Sequence, residues 1–274
     1  MGTVNGTSDM AAVEEPPARQ QTLQRRAELT TMADNAGHLS VHELAEAMGV
    51  SPSTIRRDLR ALQAEGQLLR VYGGAYALGR SELSWREKAQ SEAGAKQVIA
   101  RAAAKLAPDS GAVFLDSGTS TAALGAILGR NRSLTLVTTG LSTLLAVADA
   151  EAEVIVVGGR LRRMSAGMTG PLTDITLDRV APAAAFLGAE SIDPERGIGC
   201  PELDQAALKS RAMKLSQNAW LLVDHTKFER RPGLRFLAPI PQHVGIVTDA
   251  RAEALHGAAL ARLRAAGHRI VIAR

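Results

Sequence analysis

Two groups of residues in this chain have the types and spacing to do chemistry. The first is Ser51-Pro52-Ser53-Thr54-Ile55-Arg56-Arg57-Asp58-Leu59-Arg60. Hydroxyls and guanidiniums spaced along one short helix suit base edges and phosphates. The second is a series of polar loops, each directly after an apolar run. They are Asp116-Ser117-Gly118-Thr119-Ser120-Thr121, Thr138-Thr139-Gly140, Gly158-Gly159-Arg160, Gly188-Ala189-Glu190 and Asp224-His225-Thr226-Lys227. A small, hydroxyl-rich loop with glycine that opens a helix offers N–H and O–H donors to an anion.

The elements that must position the first group lie between Leu39 and Ala75. Ser40 and Glu43 form an S-x-x-E capping box at a helix start. Val41, Leu44, Ala45 and Met48 then share one face. Gly49 suits the turn, Ser51 the next N-cap and Pro52 the first helical position. In the second helix Ile55, Leu59 and Leu62 make the buried stripe. Ser53, Arg56, Arg57 and Arg60 project from the other side. Most charged stripes are only solvated helix faces. Here three arginines with only Asp58 nearby follow a capped helix at the right turn length, which predicts DNA binding. Gln67 to Tyr76 predicts a hairpin wing that sets Arg70 and Tyr72 beside the DNA backbone or minor groove; the other reading of Tyr72 and Tyr76 is partial burial at the domain edge. Ahead of it, Gln21–Ala36 reads as a helix with Leu23, Ala27 and Leu29 inside and Arg25 and Arg26 facing phosphates.

The second group needs a different scaffold. Apolar runs at Ala112–Leu115, Leu134–Val137, Val154–Val157, Ala184–Leu187, Trp220–Val223, Val244–Val247 and Ile270–Ile272 alternate with helical stretches. Near-continuous apolar strands alternating with helices predict a mostly parallel α/β sheet covered on both faces. Ligands of such sheets bind at the carboxyl ends of the strands. The polar loops sit at five of those ends, a rim suited to a small, phosphorylated ligand. Taken singly, each has an ordinary reading: an N-cap, a salt-bridged glutamate, a surface lysine. Their recurrence favours a site. The chain has no G-x-x-x-x-G-K-[ST] loop and no G-x-G-x-x-G after the first sheet strand.

Composition bounds the rest. At 274 residues two domains are expected, with boundaries at 1–20 (a mobile tail), 21–78 (winged helix-turn-helix), 79–92 (linker or connecting helix) and 93–274 (α/β domain). Aromatics are only 3%, so the cores must be built from Ala, Val, Leu and Ile. A net charge of +4 suits a nucleic-acid partner. Cys200 is the single cysteine, so an intramolecular disulfide or cysteine zinc site is excluded. His38 and His42 have metal-pair spacing, but a cap at Ser40 leaves His38 outside the helix. No secretory signal or membrane span is read, and a cytoplasmic location is expected. No cofactor, metal or catalytic residue is expected.

On these residues the chain resembles the DeoR family of bacterial sugar-metabolism repressors. The resemblance rests on VSPSTIRRDLRAL (Val50 to Leu62), RVYGGA (Arg70 to Ala75), and Arg86, Lys96 and Ile99-Ala100. It continues through FLDSGTST (Phe114 to Thr121), LVTTG (Leu136 to Gly140), VVGGRL (Val156 to Leu161), FLGAESID (Phe186 to Asp193), KSRAM (Lys209 to Met213) and LLVDHTKF (Leu221 to Phe228). It implies a winged helix-turn-helix fused to a sensor similar in fold to sugar-phosphate isomerases. It implies operator DNA and a phosphorylated sugar as partners, with the sugar releasing the DNA. By position, Ser117 to Thr121 would hold the phosphate and Thr138, Thr139, Glu190 and Lys227 would face the sugar. Asp116 would shape the pocket, with Lys209 near it. Many relatives have Asn where this chain has Thr139, and Gly-Ala-Asp-Gly where it has Gly188 to Ser191. Weak affinity from one helix implies a homodimer or homotetramer on repeated half-sites. The rival reading is a sugar-phosphate isomerase-like enzyme using Asp116, Glu190 and Lys227. Activation instead of repression is a second alternative.

Overall fold

The computed structural model describes residues 17–36, 38–64, 68–71, 74–77, 83–229 and 234–274. They fall into two compact units that meet in sequence at Arg80–Ser81.

The first unit runs α1 (Pro17–Ala36), β1 (His38–Ser40), α2 (Val41–Ala47), α3 (Pro52–Ala64), β2 (Leu68–Val71) and β3 (Gly74–Ala77). The strands form an antiparallel sheet in the order β1-β3-β2. Val71 pairs with Gly74 in the β2–β3 ladder. The capping box at α2 is complete: the Glu43 N–H donates to Ser40 Oγ at 3.2 Å, and the Ser40 N–H to Glu43 Oε2 at 2.7 Å. Gly49 takes a positive φ of 61° in the turn, which a side chain would strain. Leu29, Leu44, Ile55, Leu59 and Leu62 close the core.

Two expectations for α1 are corrected. It begins at Pro17, so the four residues Pro17–Gln20 are helical; the rest of the expected tail, 1–16, lies outside the described residues. Leu23 and Ala27 are exposed, not buried. The inner face carries Thr22, Arg25, Arg26 and Leu29. Two arginines can turn inward because Asp58, on α3, waits there to neutralise them.

The second unit begins with α4 (Trp85–Gln90) and α5 (Ala93–Ala104), then β4 (Gly111–Leu115), α6 (Thr119–Leu128), β5 (Leu134–Thr138), α7 (Leu141–Ala146) and β6 (Glu153–Val156). A hairpin of β7 (Arg160–Arg162) and β8 (Gly167–Thr169) leads to α8 (Pro171–Leu177) and β9 (Ala184–Leu187). Then come β10 (Ser191–Asp193), β11 (Gly197–Cys200), α9 (Leu203–Leu215), β12 (Asn218–Leu222), a 3-10 turn at His225–Phe228, β13 (Phe236–Ala238), β14 (Gly245–Asp249), α10 (Ala250–Ala265) and β15 (Ile270–Ala273).

Seven strands make one parallel sheet in the order β15-β14-β12-β9-β4-β5-β6. Each of the seven apolar runs supplies one strand. Alternate residues of a strand face opposite sides. Phe114, Val137, Ala185 and Leu187 therefore pack with Leu208, Met213, Leu260 and Leu263 of α9 and α10. Val113, Leu115, Leu136 and Phe186 pack with Ile99, Ala103, Leu124 and Leu128 of α5 and α6. Each fully buried Leu, Ile or Phe contributes about 1.5–3 kcal/mol. Coverage stops at the edge strand β6, where Ile155 and Val156 are exposed.

The chain first builds outward from β4 through β5 to β6, then crosses back to β9 and builds the other way. The sheet therefore changes direction between β4 and β9. In sheets of this kind the crevice at the carboxyl ends of those two strands receives the ligand.

Candidate functional site

The first candidate surface is α3. Ser51 caps it: Ser51 Oγ accepts from the Thr54 N–H at 3.2 Å and lies 2.7 Å from Ser53 Oγ and 2.9 Å from Thr54 Oγ1. Ile55, Leu59 and Leu62 are buried, whereas Ser53, Arg56, Arg57 and Arg60 are exposed. Asp58 lies on the inner face, 1% exposed, and accepts from Arg25 Nε at 2.7 Å and Arg26 Nε at 3.0 Å. It fastens α1 to α3 and is no local counterion for the outer arginines. Arg25 and Arg26 turn their Nε atoms to Asp58, a role the sequence reading missed. Arg70 stands opposite Ala75 in the wing ladder. Tyr72 lies outside the described residues.

The second candidate is a pocket at the β4/β9 crevice. Asp116, Ser117, Gly118, Thr119 and Ser120 line it after β4, and Gly188, Ala189 and Glu190 after β9. Lys209 comes from α9 and Lys227 from the turn after β12. Sequence motifs far apart in the chain thus meet in one place.

The loop after β4 is held by its own polar groups. Thr121 Oγ1 donates to the carbonyls of Asp116 and Gly118, at 2.7 and 2.9 Å. Thr143 Oγ1 donates to the Asp116 carbonyl at 3.2 Å. Ser117 is clasped between two glycines. A Cβ on Gly140 would stand 2.7 Å from Ser117 Cα, and one on Gly167 would stand 2.3 Å from Ser117 Oγ. Only glycine permits both approaches.

Four ammonium groups face two carboxylates in this pocket. Lys209 donates to Asp116 Oδ2 and, at 2.7 Å, to the Gly188 carbonyl. Lys88 pairs with Glu190. Lys96 donates to the carbonyls of Lys88 and Ser91. The α4–α5 corner is steadied by Glu92, whose φ is +51° and whose carboxylate meets Arg251 at 3.2 Å. The chain has 26 arginines and only six lysines, yet Lys88, Lys96, Lys209 and Lys227 all line this pocket.

Their titration follows from burial and neighbours. Burial pushes Lys96 below its ordinary value, against the pull of Asp224. Burial would also lower Lys209, but Asp116, Cys200 and Glu190 together outweigh it and hold Lys209 above its usual value. Burial would raise Glu190, but the ammonium groups of Lys88, Lys227 and Lys209 hold it below the usual glutamate value.

Four expected site residues stand off the pocket wall. Thr121 is spent on the loop. Thr138 Oγ1 donates to the Leu115 carbonyl at 2.8 Å and accepts from the Gly140 N–H at 3.1 Å. The Thr139 carbonyl accepts from the Met168 N–H at 2.7 Å, fixing β8. The Gly158 carbonyl accepts from Thr173 Oγ1 at 2.8 Å. The structure adds wall residues that the sequence reading did not name: Trp85 and Lys88 on α4, Ser165 and Thr169 on the β7–β8 hairpin, Cys200 on β11 and Gln205 on α9. A signal for α4 was present. Ser84 and Glu87 have S-x-x-E spacing and form a complete capping box. Among the described residues no group of three or more His, Cys, Asp or Glu side chains could hold a metal ion, and no helix is long and apolar enough to cross a membrane.

Comparison with known proteins agrees with this layout. The DeoR-like helix-turn-helix domain matches residues 25–80, and the DeoR C terminal sensor domain matches residues 91–250. The glycerol-3-phosphate regulon repressor of Escherichia coli K12 is 31% identical over 76% of this chain and 83% of its own. The lactose phosphotransferase system repressor of Staphylococcus aureus N315 is 28% identical over 74% of this chain and 83% of its own. Among solved structures, ribose 5-phosphate isomerase A from Methanocaldococcus jannaschii overlaps 53% of this chain and 59% of that chain, with 18% identity and a TM-score of 0.38. A likeness that slight carries no argument about chemistry. With a capped arginine helix in the first match and a lysine-lined crevice in the second, the chain belongs to the DeoR family of helix-turn-helix transcriptional regulators.

Proposed function

We propose that this protein represses a carbohydrate-utilisation operon in the cytoplasm and leaves its operator when a phosphorylated sugar fills the pocket. One observation carries the reading: four of the chain's six lysines converge on a glycine-clasped hydroxyl loop at the start of α6. Backbone N–H groups at a helix start and nearby ammonium groups together favour a phosphate dianion. In this reading Ser117, Gly118, Thr119 and Ser120 cradle the phosphate and Lys96 and Lys227 neutralise it. Glu190, Lys209 and Asp116 set the opposite wall. Two relatives are named as repressors tied to glycerol-3-phosphate and to lactose transport, which supports this ligand class.

On the DNA side, Arg56, Arg57 and Arg60 supply phosphate and base contacts, Ser53 and Thr54 read base edges, and Ser51 fixes the helix start. Arg70 and Tyr72 belong to the wing contact. A single such helix binds weakly, so the working form is a dimer or tetramer on repeated half-sites. Release is a population shift, in which ligand favours an arrangement that binds DNA poorly. α4 is the natural relay: it lines the pocket through Trp85 and Lys88 and is the first helix of the second unit. The chain is read as a binder without turnover, with Asp116 and Glu190 engaged by lysines.

The test is fluorescence anisotropy on DNA from upstream of its own gene and neighbouring operons, with and without a sugar-phosphate panel. Specific binding released by one phosphorylated sugar is expected. Indifference to every phosphate would overturn the ligand class. Conversion of any panel member by the protein would revive the isomerase reading.

A further inference from the structure

Three polar atoms among the pocket's lining residues have no hydrogen-bond partner: Thr169 Oγ1, Gln205 Oε1 and Glu190 Oε2. Thr169 is 3% exposed and Gln205 8%. Buried polar atoms left unmade are costly, and a native structure keeps few of them. They belong to different elements, β8, α9 and the loop after β9, yet they line one cavity.

Their chemistry is specific. A carboxylate oxygen accepts only, so Glu190 Oε2 needs a donor. The Gln205 amide reaches Ser165 Oγ at 3.4 Å through Nε2 and leaves its other end unmatched. Thr169 Oγ1 can donate or accept. A ligand with at least two hydroxyls satisfies all three, since Glu190 Oε2 and Gln205 Oε1 each accept a separate proton, whereas a bare carbonyl or an alkyl chain fails both. The position is also fixed. Gly167 lies between this wall and the anion loop, because a Cβ there would stand 2.3 Å from Ser117 Oγ and 3.5 Å from Ser165 Oγ.

Resting on the phosphate reading above, we infer that Thr169, Gln205 and Glu190 form a hydroxyl-reading subsite, which selects phosphomonoesters of polyols or sugars over other phosphomonoesters. The three atoms are covered in this structure, so the wall must give for a hydroxyl to reach them. The β7–β8 turn and α4 both line the cavity and are joined by the Trp85 N–H donating to the Met164 carbonyl at 2.8 Å. Reading the hydroxyls therefore also moves the element that follows the DNA-binding unit in sequence.

The experiment uses the full chain. Calorimetric titration compares inorganic phosphate, propyl phosphate, glycerol 3-phosphate, hexyl phosphate and sorbitol 6-phosphate on wild type, Thr169→Val, Thr169→Ser and Gln205→Met. Wild type is expected to bind at least one hydroxylated ester about tenfold or more tightly than its alkyl counterpart. In Thr169→Val and Gln205→Met that preference falls within about threefold, while inorganic phosphate binds as before. Thr169→Ser keeps the preference. Thr169→Val melts no lower than wild type without ligand, because it removes an unmet hydroxyl at constant shape. A preference that survives both Thr169→Val and Gln205→Met overturns the subsite. Equal loss of inorganic phosphate binding in those variants overturns it too. Phosphate binding without preference in wild type sinks this inference alone. No binding of any phosphate sinks the phosphate reading beneath it as well.

Discussion

Replacing Gly167 with alanine tests how the anion loop is built. The added methyl would stand 2.3 Å from Ser117 Oγ and 2.7 Å from Ser117 Cβ. Comfortable carbon contacts need about 3.5–4.0 Å, so something must move by roughly 1 Å. Rotation of the Ser117 hydroxyl cannot relieve the clash with Cβ. Retreat toward Gly140 is also closed, because that backbone already approaches Ser117 Cα so closely that a Cβ there would stand 2.7 Å away. The loop at the start of α6 must therefore be displaced. Overpacking of this kind costs about 1–3 kcal/mol, and one lost hydrogen bond to a charged group about 1.5–3 kcal/mol. The overpacking falls on stability, and the lost hydrogen bond predicts a loss of phosphate affinity of roughly 10- to 100-fold. Gly94→Ala is the control, since nothing lies within 4 Å of its Cβ position. Calorimetry with inorganic phosphate, and anisotropy on operator DNA, separate the effects. Gly167→Ala is expected to bind DNA normally and to respond to phosphorylated ligand only at far higher concentration. Phosphate affinity within about twofold of wild type would refute the reasoning, because the loop would then tolerate the shift.

Four further outcomes are expected. Arg57→Ala weakens operator binding by at least ~1 kcal/mol and flattens the salt dependence by about one unit; unchanged affinity removes Arg57 from the contact. Asp58→Asn strips the charge that holds Arg25 and Arg26 and destabilises the first unit by about 2–3 kcal/mol, discounted for guanidiniums that are one-fifth exposed. That corresponds to a fall of roughly 8–24 °C in its melting temperature, read by circular dichroism. Glu190 is held below its usual value, so its ionised form adds stability above the ordinary glutamate range, and that stability disappears as pH falls through the lowered value. Glu190→Gln should therefore lose less stability than wild type on acidification below about pH 4.3; parallel curves would contradict the ion pairing. Finally, Val156→Lys at the free edge of β6, where Val156 is 42% exposed, is expected to reduce the mass seen by light scattering. An unchanged mass excludes that edge from the contact of the proposed dimer or tetramer.

The large features were legible because their physics is local. A parallel strand buried on both faces reads as an unbroken apolar run, and seven runs supplied seven strands. The α2–α3 turn was legible from Ser40, Glu43, Gly49, Ser51 and Pro52, each with its own backbone role. What escaped was whatever depends on a distant partner. Arg25 and Arg26 look like outward charges until Asp58 appears 32 or 33 residues later on the facing helix. The β7–β8 pair and the β10-β11-β13 sheet have strands of three or four residues, too short for an alternation to register. Ser165, Thr169 and Cys200 of the pocket wall come from such pieces. The order of the seven strands, and with it the β4/β9 crevice, is set by packing across the sheet and leaves no mark along it.

The use of lysine follows from what the pocket must do. Arginine serves every outward basic role on α3, where a planar, always-charged fork suits phosphates and guanine edges. Inside the crevice the same fork would be a poor choice. Four guanidiniums are bulky, and none can relieve crowding by titrating. Lysine is compact and yields a proton when burial makes its charge costly. Burial lowers Lys96, while Asp224 and Glu92 offset the nearby charges of Lys227 and Lys88. In the proposed reading, a phosphate dianion entering there would favour the charged form that burial makes costly. That adds to affinity for a dianion over a neutral sugar. Because Lys88 belongs to α4, the same electrostatic relief acts on the helix that follows the DNA-binding unit. In the proposed reading, ligand charge and ligand hydroxyls bear on the same wall.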